Sequence, residues 1–284
     1  MQLQWFPGHM AKTRKLITEN LKLVDLVAEL VDARLPLSSR NPEIDRILGS
    51  KPRVLVLNKC DIADEKANQA WMDFFKKQGV FAVLMDSASG RGLAKFHAEA
   101  ERALHDVFEK DRQRGIKRHA VKLMVAGIPN VGKSSFINRL SGRAAAKTGD
   151  RPGITTAKQW IRVANQYEIL DTPGILWPKF ESQEVAERIA FTGGIKDEIM
   201  DIEELAAELL QYLSVHYSAQ LAERYRLPQE ALAADGFELL EAVGRKRGCV
   251  VSGGEIDTFR AANLVLDDFR AARIGTISLE LPPK

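Results

Sequence analysis

A chain of 284 residues has room for one large domain and a smaller one. Its 45% apolar and 28% charged content is that of a soluble globular protein, so a packed core can form. Its two cysteines, Cys60 and Cys249, have no zinc-site or disulfide-framework spacing. Met1–Lys15 lacks the apolar core of a signal peptide, and no apolar run approaches the ~18 residues that span a bilayer. A cytoplasmic protein with no membrane partner is expected. The charge is uneven: residues 181–284 hold 11 Lys/Arg against 19 Asp/Glu, and residues 1–180 hold 30 against 19. A basic surface of that size can attract nucleotide or nucleic acid.

In chain order, Leu21–Asp32 fits a helix nearly as well as a strand, and Glu29 sits awkwardly for a central strand. We read Leu26–Val31 as a strand because the following DARLPLSSRNP looks like a loop. Val54–Leu57, Val80–Met85 and Ala120–Ala126 are short apolar runs, as expected of strands buried on both faces. Glu65–Gln78 and Ala94–Arg114 between them have helical length and periodicity. Strands alternating with helices predict an α/β fold with a mostly parallel sheet covered on both faces. Gln159–Val163 and Tyr167–Leu170 read as an antiparallel hairpin at a sheet edge. Beyond Pro178 the chain turns helical, over Glu181–Tyr217, Gln220–Val243 and Thr258–Ala272. A division into residues 1–178 and a smaller, mainly helical 179–284 is expected.

Five motifs carry chemistry. Gly127-Ile-Pro-Asn-Val-Gly132-Lys133-Ser134 fits G-x-x-x-x-G-K-[ST] between a predicted strand and a predicted helix. Backbone N–H groups of Asn130, Val131, Gly132, Lys133, Ser134 and Ser135 can surround phosphate oxygens at the positive helix end. Lys133 would reach the β- and γ-phosphates, and the Ser134 hydroxyl would ligate Mg²⁺. Asp171-Thr-Pro-Gly174 places a strand-terminal carboxylate for the same Mg²⁺ and a glycine whose N–H can approach the γ-phosphate. Asn58-Lys59-Cys60-Asp61 ends a strand, where open α/β sheets bind ligands. A carboxylate at Asp61 can accept from guanine N1–H and its exocyclic amine; adenine lacks that pair of donors and would leave it unpaired. Asp86-Ser87-Ala88-Ser89 could set backbone donors at guanine O6, or be an ordinary polar loop. In Arg151-Pro-Gly-Ile-Thr155-Thr156, Thr155 is preferred over Thr156 to complete the Mg²⁺ shell when a γ-phosphate is present.

The motif order, N-K-x-D before the phosphate loop, resembles the circularly permuted P-loop GTPases. Trp5-Phe-Pro-Gly-His9-Met10, Asp32-Ala-Arg with Ser39-Arg-Asn-Pro42, Gly253-Gly-Glu-Ile-Asp257 and Asp268-Phe-Arg270 resemble the ribosome biogenesis GTPase A (YlqF-like) branch. That resemblance implies hydrolysis of GTP to GDP and phosphate, stimulated by the large (50S) subunit precursor, which is bound with GTP and left after hydrolysis. A monomer that contacts rRNA is expected. The glutamine that orients water after D-x-x-G in common GTPases is here Ile175, which cannot do so. The resemblance implies two substitutes: His9, positioning or activating the water, and a K⁺ ion coordinated through Asn130. Without the resemblance, His9 would be an ordinary surface residue.

Lys12, Arg14 and Lys15 beside Trp5 and Phe6 fit either rRNA phosphates or a solvated face. Arg245-Lys-Arg247, Arg270 and Arg273 are basic spots in an acidic region. Three rivals stand beside the main reading: an ATP-preferring metabolic kinase, a GTP-binding module with very low turnover, and a permuted GTPase acting on the small subunit or another RNA. Because D-T-P-G runs within a few residues into the helical region, nucleotide state is expected to set the orientation of residues 181–284.

Overall fold

The structure, a computed structural model, describes residues 18–41, 44–116, 120–142, 159–163, 166–171 and 182–283. Among these, Ser182–Ile277 form one compact unit and the remainder, including the tail from Ser278, form another. The tail was expected with the helices. It groups with the sheet because its hydrogen bonds go to the loop after the first strand and to the helix after the second.

The sheet has the order β3-β2-β1-β4-β6-β5. Its centre is β1 (Leu26–Asp32), buried at every residue and parallel to β2 (Arg53–Asn58) and β4 (Val121–Gly127). β3 (Ala82–Met85) extends it beyond β2, and β6 (Tyr167–Asp171) beyond β4, both parallel. β5 (Gln159–Val163) closes the far edge antiparallel to β6, where the hairpin was expected. The awkward Glu29 does sit in the central strand. Its carboxylate is met by Arg40 at 3.0 Å and Arg53 at 3.2 Å, which offset the desolvation that raises its pKa. β3 starts two residues later than expected, because Val80 N–H still donates to Phe75 O and closes the preceding helix.

Besides helical residues at 18–21, this unit holds four helices whose bounds lie within the described residues. α1 (Ile44–Leu48) is a short turn that the sequence reading left unassigned; Ile44 and Leu48 join Val24, Val27 and Met124 in a core cluster. α2 (Glu65–Lys77) is capped by the Asp64 side chain, which accepts from Ala67 N at 2.8 Å. α3 (Leu93–Gln113) and α4 (Lys133–Ser141) each start on a glycine in the left-handed region, Gly92 and Gly132. The β2-to-β3 and β3-to-β4 crossovers run in opposite directions, so right-handed connections put α2 and α3 on opposite faces. On one face Trp71 and Phe75 of α2 pack with Val31, Leu55 and Leu57. Phe96 of α3 meets Phe136 of α4 edge-on, with ring centres 5.0 Å apart.

In the helical unit, the continuous helix expected over Glu181–Tyr217 is two: α5 (Gln183–Phe191) and α6 (Ile202–His216), with a 3₁₀ turn at Asp197–Ile199 between them. Gly193, at φ 76°, stops the first, and Asp201 caps the second through Glu203 N and Glu204 N. The expected Gln220–Val243 helix is likewise divided into α7 (Ser218–Tyr225) and α8 (Gly236–Arg247), with a 3₁₀ turn at Gln229–Ala233. Arg226 turns left-handed at φ 54°, Pro228 follows, and Asp235 with Glu238 forms a reciprocal capping box. α9 (Thr258–Arg270) is capped by Asp257 and packs with α6 and α8. α6 and α8 approach so closely that a Cβ on Gly236 would lie 2.3 Å from Ala207 O. Gly236→Ala should therefore destabilise the protein by about 2 kcal/mol, from overpacking against backbone, measured by urea unfolding.

Candidate functional site

All five parallel strands end on one rim, and the rim carries the chemistry. Asn58 closes β2, Asp86 follows β3, Gly127 closes β4 and opens the phosphate loop, and Asp171 closes β6. The strand order reverses between β1 and β4, the position where open α/β sheets form a ligand crevice. Asp171 is in register with Val125, two residues before the loop, so its backbone stands beside the start of that loop. The Asp171 side chain lies outside the described residues, as do His9, Thr155, Thr156, Gly174, Ile175, Lys12, Arg14 and Lys15.

Asn58 is the joint of the site. Its amide nitrogen donates to Val131 O of the phosphate loop at 2.7 Å. Its amide oxygen accepts from Ser87 N at 3.2 Å and from Ser87 Oγ at 2.7 Å. One buried side chain thus ties three motifs that lie far apart in the sequence. The fit leaves no room for a side chain: a Cβ on Gly132 would stand 2.3 Å from Asn58 Nδ2, and Gly132 already has φ 96°. A Cβ on Gly127 would meet Leu30 O at 2.6 Å, so β1 presses the loop from the other side. Asn130 holds a left-handed φ of 58° within that loop.

Lys133, the first residue of α4, is buried. Its Nζ donates to Ile128 O at 2.7 Å and Gly127 O at 3.1 Å, folding the cation back over the loop. Ser134 and Ser135 stand in the first turn of α4, half-buried beside the same loop. Lys59 adopts φ 62°, and its Nζ lies 3.3 Å from the Asp32 carboxylate. Burial pushes the Lys59 ammonium pKa down, and Asp32 works against that. Asp32 is also gripped by Arg34, with Nε donating at 2.9 Å and Nη2 at 2.8 Å. Burial would raise the Asp32 pKa, but Arg34 and Lys59 together hold it well below the usual carboxylate range.

Asp61 is exposed on the rim, next to this network. Partial burial and the neighbouring Asp86 charge raise its pKa, while Arg91 and Arg34 oppose them. The Asp86 carboxylate turns into its own loop and accepts from Ala88 N at 2.9 Å, Ser89 N at 3.2 Å and Ser89 Oγ. Arg139 of α4 donates to Ser87 O at 3.3 Å and to Ala88 O, which fixes that loop from the phosphate-loop side. Cys60 is buried; its carbonyl accepts from Asn68 Nδ2 at 2.9 Å, and burial pushes its thiol pKa up. Among the described residues no His, Cys, Asp or Glu group gathers as a metal centre. The structural roles of Arg34, Asn68, Arg91 and Arg139 were missed in the sequence. Only the Asp-x-Arg spacing gave a signal.

Residues 122–227 match the family described as 50S ribosome-binding GTPase. Over 283 residues the chain is 48% identical to ribosome biogenesis GTPase A of Priestia megaterium, covering 99% of this chain and 98% of that protein. It is 34% identical to mitochondrial ribosome-associated GTPase 1 of Mus musculus, covering 98% of this chain and 90% of that one. Among solved structures, GNP-bound YlqF from T. maritima is similar with a TM-score of 0.65 and 28% identity, over 96% of this chain and 99% of that one. A GDP-bound YlqF structure is similar with a TM-score of 0.66 and 27% identity, over 94% and 99%.

Asn58→Ala would leave Val131 O without its donor and Ser87 without its acceptor inside the protein. We expect a loss of about 2 kcal/mol in stability, checked by urea unfolding without ligand.

Proposed function

Since the chain belongs to the ribosome biogenesis GTPase A family, we propose that it is a GTP-hydrolysing assembly factor for the large (50S) ribosomal subunit. It binds the subunit precursor with GTP and leaves after hydrolysis, which the particle stimulates. The observation that carries the nucleotide half of this reading is the Asn58 bridge, which joins the N-K-C-D loop to the phosphate loop on one rim. The identity of the relatives carries the ribosomal half.

In this reading Asp61 accepts from the guanine edge, while Asn58, Lys59, Cys60, Asp86 and Ser87 build the wall behind the base. Backbone N–H groups from Asn130 to Ser135, with Gly174, face the phosphates, and Lys133 swings from its carbonyl partners to the β- and γ-oxygens. The bare backbone enforced at Gly127 and Gly132 suits close approach of a polyphosphate. Ser134, Thr155 and Asp171 offer the hard oxygen donors that Mg²⁺ requires, and the ion would supply positive charge against the phosphate oxygens. The Asn130 side-chain oxygen suits K⁺, which would add charge where the transition state builds it. His9 is assigned the task of positioning water, since Ile175 stands where a glutamine would serve.

We place the GTPase domain at residues 1–178 and an RNA- or ribosome-contacting domain at 179–284. The second assignment draws support from a concavity of about 640 Å³ whose charged lining is Arg224, Arg226, Lys246, Arg247 and Arg273 against Glu223 alone, a basic site in an otherwise acidic unit. The protein is assigned to the cytoplasm and acts as a monomer. Ile175 favours a second reading, a GTP-binding module with very low turnover.

Two outcomes are expected. The chain should co-sediment with large-subunit precursors in a non-hydrolysable GTP analogue and be released in GDP, and its hydrolysis should rise with precursor in K⁺ more than in Na⁺. Equal sedimentation in both nucleotides, or a preference for the small subunit, counts against the assembly reading; a rate that no particle raises favours the binding module. Asp61→Asn should weaken GTP binding about 100-fold through loss of a charged acceptor, and gain affinity for xanthosine triphosphate, whose 2-carbonyl can accept from the new amide. Fluorescent-nucleotide displacement measures both.

A further inference from the structure

The tail Ser278–Glu280 lies across the loop that follows β1. Leu279 N–H donates to Arg34 O at 2.7 Å. The Glu280 carboxylate accepts from Leu37 N at 2.7 Å, Ser38 N at 3.1 Å and Ser38 Oγ at 3.0 Å. The same three residues also reach α2. Ser278 Oγ accepts from Asp64 N at 3.2 Å, and Glu280 O accepts from Trp71 Nε1 at 3.2 Å. Leu279 is buried in the contact.

These two attachments flank the Asn58–Asp61 loop. On one side Arg34 of the β1 loop grips the Asp32 carboxylate, which in turn pairs with Lys59. On the other, Asp64 starts α2, and Asn68 one turn later donates to Cys60 O. Within the β1 loop itself, Ser39 ties back to Asp32 and Leu35, but Leu37 and Ser38 are held by a residue more than 240 positions away. Hydrogen bonds to a carboxylate are about twice as strong as neutral ones, so Glu280 is a firm anchor for that loop. None of the three tail residues belongs to a nucleotide motif.

We infer that Ser278–Glu280 is a clasp that positions the guanine-reading loop, with Glu280 a positioning residue for guanine-nucleotide affinity rather than for the chemical step. The inference rests on the proposed nucleotide function. The tail secures Arg34 and Asp64; through Asp32 and Asn68 these fix Lys59 and Cys60, and Asp61 is thereby presented to the base.

The test uses the full chain, a fluorescent GDP analogue for Kd, and hydrolysis at saturating GTP for kcat. Glu280→Ala should raise Kd about 10-fold with kcat unchanged, through loss of charge-assisted bonds. Glu280→Gln should stay within about 2-fold, because its amide oxygen still accepts from both backbone N–H groups. Ser38→Ala removes a single donor and guards against a variant that fails to fold; it should raise Kd about 3-fold. A Glu280→Ala protein that binds like the parent, or that melts earlier with Kd unchanged, overturns the clasp alone. A parent chain that binds no guanine nucleotide overturns the proposed function, and this inference with it.

Discussion

The amide of Asn58 is the constraint on which the rest depends. It is fixed at the end of β2, and it meets a carbonyl of one loop and a hydroxyl of another with its two opposite ends. Only a side chain with a donor and an acceptor on one short planar group can do this. A carboxylate would face Val131 O with like polarity, and a leucine would leave buried polar atoms without partners. Gly132 is the complement of that amide. Its missing Cβ is the space the nitrogen occupies, so the glycine serves the joint as well as the left-handed turn.

Around this joint, buried charge is arranged in series. Glu29 sits between Arg40 and Arg53 within the sheet, and Asp32 between Arg34 and Lys59 at its rim. Such groups are costly to bury and tolerable only when opposite charge stands against them. Their return is geometric: Lys59 is held with its backbone in a left-handed conformation that few side chains adopt. In the helical unit Asp268 plays the same part, accepting from Arg224 at 2.9 Å and Arg273 at 3.1 Å.

Much of this architecture was legible in the sequence. The hairpin strand Gln159–Val163 was read to the residue, since alternation and a short polar turn are local signals. The phosphate loop and the N-K-C-D tetrapeptide could be placed on strand ends because the strands preceding them are uninterrupted apolar runs. Helix breaks were less visible. Periodicity continues across Gly193-Gly194 and across Pro228, so one apolar stripe read as one helix, although Asp235-x-x-Glu238 did carry a start signal. Partners distant in sequence were not legible at all. Nothing near Leu37 or Ser38 announces Glu280, and nothing near Asp86 says that its carboxylate turns inward to its own loop.

The parallel sheet has one last consequence. The N-K-C-D, Asp86–Ser89 and phosphate-loop motifs each follow the exit of a strand, and D-T-P-G begins at another, Asp171; all the parallel exits share a rim, while the connections that return the chain run beneath. A reader walking round that rim meets the same groups in the same places whichever strand is counted first. Such a scaffold can be opened at one underside connection and rejoined at another without shifting the groups on top. The inverted order of the motifs along the chain then appears as a change of starting point on a closed circuit.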